Sequence, residues 1–337
     1  AEGGNLGMTQ LARVEYSLQG GVVNTDFIDN SAGVDCSDHE VNIKILLNRI
    51  IADNALNKAD RNVLLEKMTD EVGELVLLDN YEQTQIISLE LLLIQQTMDL
   101  YRHFMNDMEN AGRLDRALEY LPNDAMMVER RANNKFLTRP ELAILLSYCK
   151  MYLKQDILKT QVPEDPYFNK YLLTAFPKPL IEQFLPQLEQ HSLRREIVAT
   201  QLCKSVVDKM GIGFIERLQR ETGASTSVII RAYTIAESIF DMENIWKEII
   251  LLDNKVPADI QYGMMLQLSY LVRRSTRWFI RNKKANIDIQ HTIDAFKPAL
   301  NAIKQQLFEL LDDSGREVLE TAHHYLMDKG VPDNLAF

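Results

Sequence analysis

From about Asp38 almost to the C-terminus, apolar residues return every three to four positions. A chain that keeps this period for some 300 residues is committed to packed α-helices. In "SDHEVNIKILLNRIIADNAL", Val41, Ile45, Leu46 and Ile50 share one face. Ser37 reads as the N-cap of that helix, and Glu40, three residues on, completes a capping box. "NKADRNVLLEKMTDEVGELVLLDN" fits a second helix or a close pair, and "YEQTQIISLELLLIQQTMDLYRHFMNDMENAG" a long amphipathic helix ending at Gly112. "LTRPELAILLSYCKMYLKQDIL" opens with Thr138 as cap, Pro140 in the first turn and then Glu141. Five of the ten prolines crowd into 162–186, so helices there must be short or newly started.

Residues 1–36 differ from the rest. They carry six of the 14 glycines, and the runs "RVEYSL" and "GVVNTDFI" flank a "QGG" turn signal. The expectation is a loop, one or two strands and another loop. The predicted fold class is therefore mainly α: a multi-helix C-terminal domain over 37–337, with a candidate subdivision near 160–190, preceded by a short α/β remnant over 1–36.

The formal net charge of −11 argues against non-specific nucleic-acid binding and against docking on anionic lipid. Cys36, Cys149 and Cys203 form no C-x-x-C pair, which removes zinc ribbons and thioredoxin-like chemistry and fits a reduced, cytoplasmic setting. "LLLIQQTM" is too short and too polar to span a bilayer. The opening "AEGGNLGMTQ" enters a Gly-rich turn directly, and the expectation is a fragment of a longer protein.

Two ordered blocks carry a resemblance. "EGGN" stands at 2–5 and "TDFIDNSAGVDCSDHE" at 25–40. Together they resemble the E-G-A-N segment and the P-D-x-x-x-N-A-G-G-V-x-x-S-x-x-E segment that close the nucleotide-binding domain of glutamate dehydrogenases. Asp26, Asn30, Gly33, Val34, Ser37 and Glu40 fall in register with the second pattern. The fuller wording is similar to the very large bacterial NAD-dependent branch, whose dehydrogenase core precedes a helical C-terminal region; "LTRPELAILLSYCK" and "STRWFIRN" look like that region.

The resemblance implies oxidation of L-glutamate to 2-oxoglutarate and ammonia, with NAD as cofactor. It implies that Asn5, Asn30 and Gly33 meet the cofactor and that Ser37 bonds the substrate's side-chain carboxylate. It also makes 1–36 the Rossmann edge of the nucleotide-binding domain and implies a homo-oligomer. An amide both donates and accepts, which suits a ribose hydroxyl or a carboxamide, and a helix start favours an anion. This sequence departs from the pattern at Ser31-Ala32 and at Asp35, Asp38 and His39, where the family is typically uncharged.

The family's catalytic Lys and Asp and its phosphate turn lie upstream, so no catalytic residue is expected in this chain. "GIGF" at 211–214 sits in helical context without a preceding strand and is not a phosphate loop. Asp38-His39-Glu40 is a poor chelate, because adjacent helical residues point apart, and no metal ligand is assigned. The alternative to the enzyme reading is a non-catalytic helical interaction or oligomerisation domain.

Overall fold

The computed structural model describes residues 7–29, 31–282 and 288–336; Asn5 and Asn30 lie outside them. Among the described residues there are helices and no strand, and no helix is long and apolar enough to cross a membrane. The chain divides into two compact units, 1–216 and 217–337. The proline-rich stretch 160–190 lies inside the first.

The strand expectation for residues 1–36 is corrected. "RVEYSL" lies within helix α1, Gln10–Leu18, whose cap Thr9 accepts the Ala12 N–H at 3.2 Å. "GVVNTDFI" is an irregular stretch running into one helical turn, Asp26–Asp29. The physical reason is that a lone pair of short strands is marginal without further strands to bury a face. Helix α1 instead buries Val14 and Arg13. The Arg13 guanidinium pairs with Asp26 and donates to the Asn24 carbonyl at 2.9 Å. Arg139 holds the same loop from the other side, donating to the Asn24 side chain at 2.8 Å and to Ser88 Oγ at 3.0 Å.

Helix α2, Ser31–Ala52, buries Ile43, Leu46, Leu47 and Ile50 and packs on α3, Lys58–Asn110. At 53 residues α3 merges the two segments read separately in the sequence, and it extends for about 80 Å. It ends where Gly112 takes a left-handed φ of +66°, as the sequence requires. Helix α4, Arg139–Leu158, starts with the expected capping box: the Thr138 N–H donates to the Glu141 carboxylate at 2.8 Å. That carboxylate is fully buried and also takes Arg130 at 2.7 Å. The proline-rich stretch forms only short helical pieces, including Asn169–Leu173 and Lys178–Glu189, the latter kinked at Phe184.

Helix α5, Arg194–Met210, packs against α4 and α3 and stops at Gly211. Gly211 has φ +86°, and a Cβ there would fall 2.2 Å from Glu90 Oε1. Glu90, from the middle of α3, accepts the Ile212 N–H at 2.7 Å and the Tyr101 hydroxyl. The 211–214 stretch is thus a turn that receives a carboxyl group. Burial pushes the Glu90 carboxyl upward, so the fold favours its neutral form.

In the second unit, α6 (Thr226–Ile239) packs on α8 (Ala258–Asn282), with α7 (Met242–Ile250) and α9 (Ile289–Gln305) alongside. Ile229, Tyr233, Trp246, Met265 and Val272 form its core. Phe279 and Phe296 meet edge-to-face at 5.3 Å, a geometry in which the positive edge of one ring faces the π cloud of the other. Helix α10, Asp313–Asp328, follows.

Two predictions arise from the Glu90–Gly211 contact. Gly211→Ala combines a strained φ with a collision and is expected to cost about 2–4 kcal/mol. Gly112→Ala, with open space around it, is expected to cost only about 1 kcal/mol; equal costs in urea unfolding would refute the contact. The second prediction concerns pH. A group whose folded-state pKa is raised contributes fully below its unfolded value, and the contribution is lost as pH climbs through the folded value. Glu90→Gln can accept from Ile212 and donate to Tyr101, mimicking the neutral acid. As pH rises above the ordinary glutamate range the parent is expected to lose stability relative to this variant; a constant gap would show that Glu90 does not titrate.

Candidate functional site

Gly33 and Ser37 lie on α2, and the helix begins six residues before the expected cap. Ser37 is therefore not an N-cap. Its exposed hydroxyl donates to the Gly33 carbonyl one turn back at 3.1 Å, a bond that serines inside helices make readily. Glu40 does not close a capping box either; it pairs with Lys44 on the surface. The cause is cooperative: once α2 packs on α3, extending it backwards adds one hydrogen bond per residue fixed. Gly33 is exposed in the first turn. The structure thus brings Gly33 and Ser37 together on one helix, while Asn5 and Asn30 cannot be placed against them.

Just beyond Ser37 the same helix walls a cavity of about 550 Å³. Asp35 and His39 line it from α2, Asp79 from α3, Lys150 and Lys154 from α4, and Lys204 from α5. His39 is 6% exposed, and its Nδ1 lies 3.2 Å from the Ala175 carbonyl. A carbonyl only accepts, so Nδ1 carries the proton in that bond. His191 makes a parallel latch. Its Nε2 reaches the Asn42 carbonyl at 3.1 Å while Nδ1 accepts the Leu193 N–H at 3.0 Å. Burial lowers the pKa of His191, consistent with that neutral tautomer. Both latches fasten α2 to the proline-rich stretch.

The cavity floor is ionic. Lys204 pairs with Asp79 and, at 2.7 Å, with Glu82; Lys150 pairs with the buried Asp208 at 2.6 Å. These neighbours hold the Lys204 ammonium above its ordinary range against the opposing effect of burial. Asp35 is pushed up to about 7, first by burial and then by the Asp79 charge. Its Oδ2 is buried without a hydrogen-bond partner. Asp35, His39 and Asp79 can bring one ligand atom each within 4.8 Å of one another. A cavity with ammonium and carboxylate groups on facing walls can orient a small polar ligand that carries both charges.

The sequence reading missed Asp79, Lys150 and Lys204, which lie in ordinary amphipathic helices and carry no motif. The other candidates behave as surface groups. His323 Nε2 meets Asp333 at 2.9 Å. Arg273 and Arg274 stack over Tyr270, and Arg277 pairs with Glu221 at 3.2 Å.

Lys204→Met would strand Asp79 and Glu82, both less than one-fifth exposed. The expected loss is about 3 kcal/mol. Adding Asp79→Asn should recover part of it, as chemical unfolding of the single and double variants would show. Strict additivity would mean the pair does not interact.

Comparisons with known proteins identify the family. Residues 134–337, more than half of the chain, match the family described as glutamate dehydrogenase, C-terminal, and residues 1–90 match the bacterial NAD-glutamate dehydrogenase catalytic domain. The chain is 46% identical over 335 residues to an NAD-specific glutamate dehydrogenase of Halomonas elongata and 47% identical over 335 residues to one of Pseudomonas aeruginosa. It is 34% identical over 336 residues to one of Mycobacterium tuberculosis. Each alignment covers at least 99% of this chain, and the chain spans 21% of each of these relatives. The chain belongs to the glutamate dehydrogenase C-terminal family.

Proposed function

We propose that the chain is the portion of an NAD-dependent glutamate dehydrogenase that runs from the end of the nucleotide-binding domain, residues 1–36, through the helical C-terminal region. The whole enzyme would oxidise L-glutamate to 2-oxoglutarate and ammonia by hydride transfer to NAD, in the cytoplasm and as a homo-oligomer. The observation that carries this reading is the identity of 46–47% sustained across almost the whole chain to relatives of that name. The cofactor supplies the redox chemistry, and the protein orients Cα of glutamate against the nicotinamide. Catalytic groups come from the remaining four-fifths of the longer polypeptide.

Within this chain, Asn5, Asn30 and Gly33 are assigned to the cofactor and Ser37 to the substrate carboxylate. The geometry of Ser37 supports its role, since its hydroxyl is exposed and held only by its own helix. The helical units serve assembly or regulation. A second reading, an oligomerisation domain without catalytic contacts, is favoured by the cleft in the second unit that exposes Trp278 and Tyr325.

The deciding assay is NADH formation from L-glutamate and NAD, run on this chain and on the polypeptide extended upstream to the length of its relatives. Activity is expected only from the extended protein. There, Ser37→Ala should raise KM for glutamate and Asn30→Ala should raise KM for NAD, each by about tenfold, the loss of one hydrogen bond of about 1.4 kcal/mol. No NADH from the extended protein would remove the dehydrogenase reading, and self-association of this chain would then support the second.

A further inference from the structure

Asp35, His39 and Asp79 are the one group among the described residues in which three side chains of metal-binding type converge. Asp35 and His39 are four residues apart on α2, which places them on one face. Asp79 faces them from α3. Proximity of carboxylates would not by itself make a site, but His39 adds an independent observation. It is 6% exposed, and its Nδ1 proton is committed to the Ala175 carbonyl. In the neutral ring Nε2 offers a lone pair, and its neighbour is Asp35 Oδ1 at 4.0 Å, too far for a hydrogen bond. Beside it, Asp35 Oδ2 is buried with no partner. A cation bound by these three side chains would give Asp35 Oδ2 the partner it lacks.

We propose that Asp35, His39 and Asp79 bind a divalent transition-metal ion of zinc type, with a fourth position facing the cavity for a solvent or ligand oxygen.

The donor set specifies the class. Calcium and magnesium take oxygen ligands almost exclusively, whereas an imidazole with carboxylates suits zinc and its neighbours. Two carboxylates and a neutral imidazole sum to the charge that a divalent ion cancels. The orientation of His39 is the one that metal-bound histidines adopt, with the second ring nitrogen donating to a backbone carbonyl. Lys204 engages Asp79 through Oδ1, and the metal would take the other oxygen of that carboxylate. Tetrahedral bonds of about 2.05 Å place ligand atoms about 3.4 Å apart. The present spread of up to 4.8 Å would have to contract by about 1.4 Å on binding. A bound metal would tie the turn carrying Gly33 and Ser37 to the long helix, whether or not the dehydrogenase reading holds.

The test is isothermal titration of this 337-residue chain with zinc chloride against a chelator of known affinity. It is made in a His323→Ala, His324→Ala background to remove the exposed histidine pair. One zinc per chain is expected, with affinity reduced at least tenfold in His39→Gln and in Asp79→Asn and with magnesium failing to compete. No zinc bound, unaltered affinity in both variants, or equal competition by magnesium would overturn the proposal. If a variant fails to fold, the parent still decides. On zinc saturation the ¹⁵N resonance of His39 Nε2 must shift while that of Nδ1 stays protonated. An unchanged Nε2 resonance overturns the assignment.

Discussion

The carboxyl group of Glu90, buried in the middle of the long helix α3, fixes the first unit. It reaches across to the Ile212 N–H, and the carbonyl of the same residue accepts the Cys149 thiol of α4 at 3.1 Å. One turn of backbone is thereby held between two helices, and it is the turn that ends α5. Where α5 ends sets where its side chains fall. Lys204 and Asp208 meet Asp79, Glu82 and Lys150 only in that register.

The ionic layer under the cavity contributes little net stability, because desolvating charges costs nearly as much as their attraction returns. Its consequence is specificity. A helix slid by one turn would leave Asp208 buried opposite nothing, a loss of several kcal/mol. Apolar packing alone tolerates such shifts far better, since Leu and Ile are interchangeable at modest cost. The three-helix arrangement of α3, α4 and α5 is therefore located by charge and filled by hydrophobic contact.

What could be read from the sequence was whatever is encoded within a few residues. Thr138, Pro140 and Glu141 spell a helix start locally, and the structure builds it; Gly112 spells a stop. The dominance of helix and the limits on helices among the prolines were equally legible. Among the described residues helix α1 and one helical turn stand where strands were expected before residue 36, because β-propensity records what a pleated surface would accept and none is formed among them. Ser37 was misplaced by six residues for a related reason, since cap residues signal a start only where no earlier start is favourable. The cavity was illegible because its members are far apart in sequence. Asp79 lies 40 positions from His39, and Glu90 contacts a residue 122 positions away. The adjacent triplet Asp38-His39-Glu40 was set aside as a chelate because neighbouring helical residues point apart; the carboxylates near His39 are Asp35, one turn back, and Asp79, on another helix.

The geometry of Ser37 bears on how such a segment can serve a ligand. Its present bond, to a carbonyl of its own helix, is worth about 1 kcal/mol net, whereas a hydrogen bond to a carboxylate is worth about 1.5–3 kcal/mol. An anionic ligand at the exposed hydroxyl would therefore capture it from Gly33 without unfolding the turn. The nearby carboxylates oppose that ligand, and here the environment of Asp35 matters. Without a bound cation, a group pushed up to about 7 is partly neutral at physiological pH, so it repels an incoming anion less than an ordinary aspartate. Asp38 is exposed and screened by solvent. The acidic residues that set this sequence apart from its family pattern are thus less hostile to a dicarboxylate than their formal charges imply. The reason is the burial of Asp35 beside the charge of Asp79.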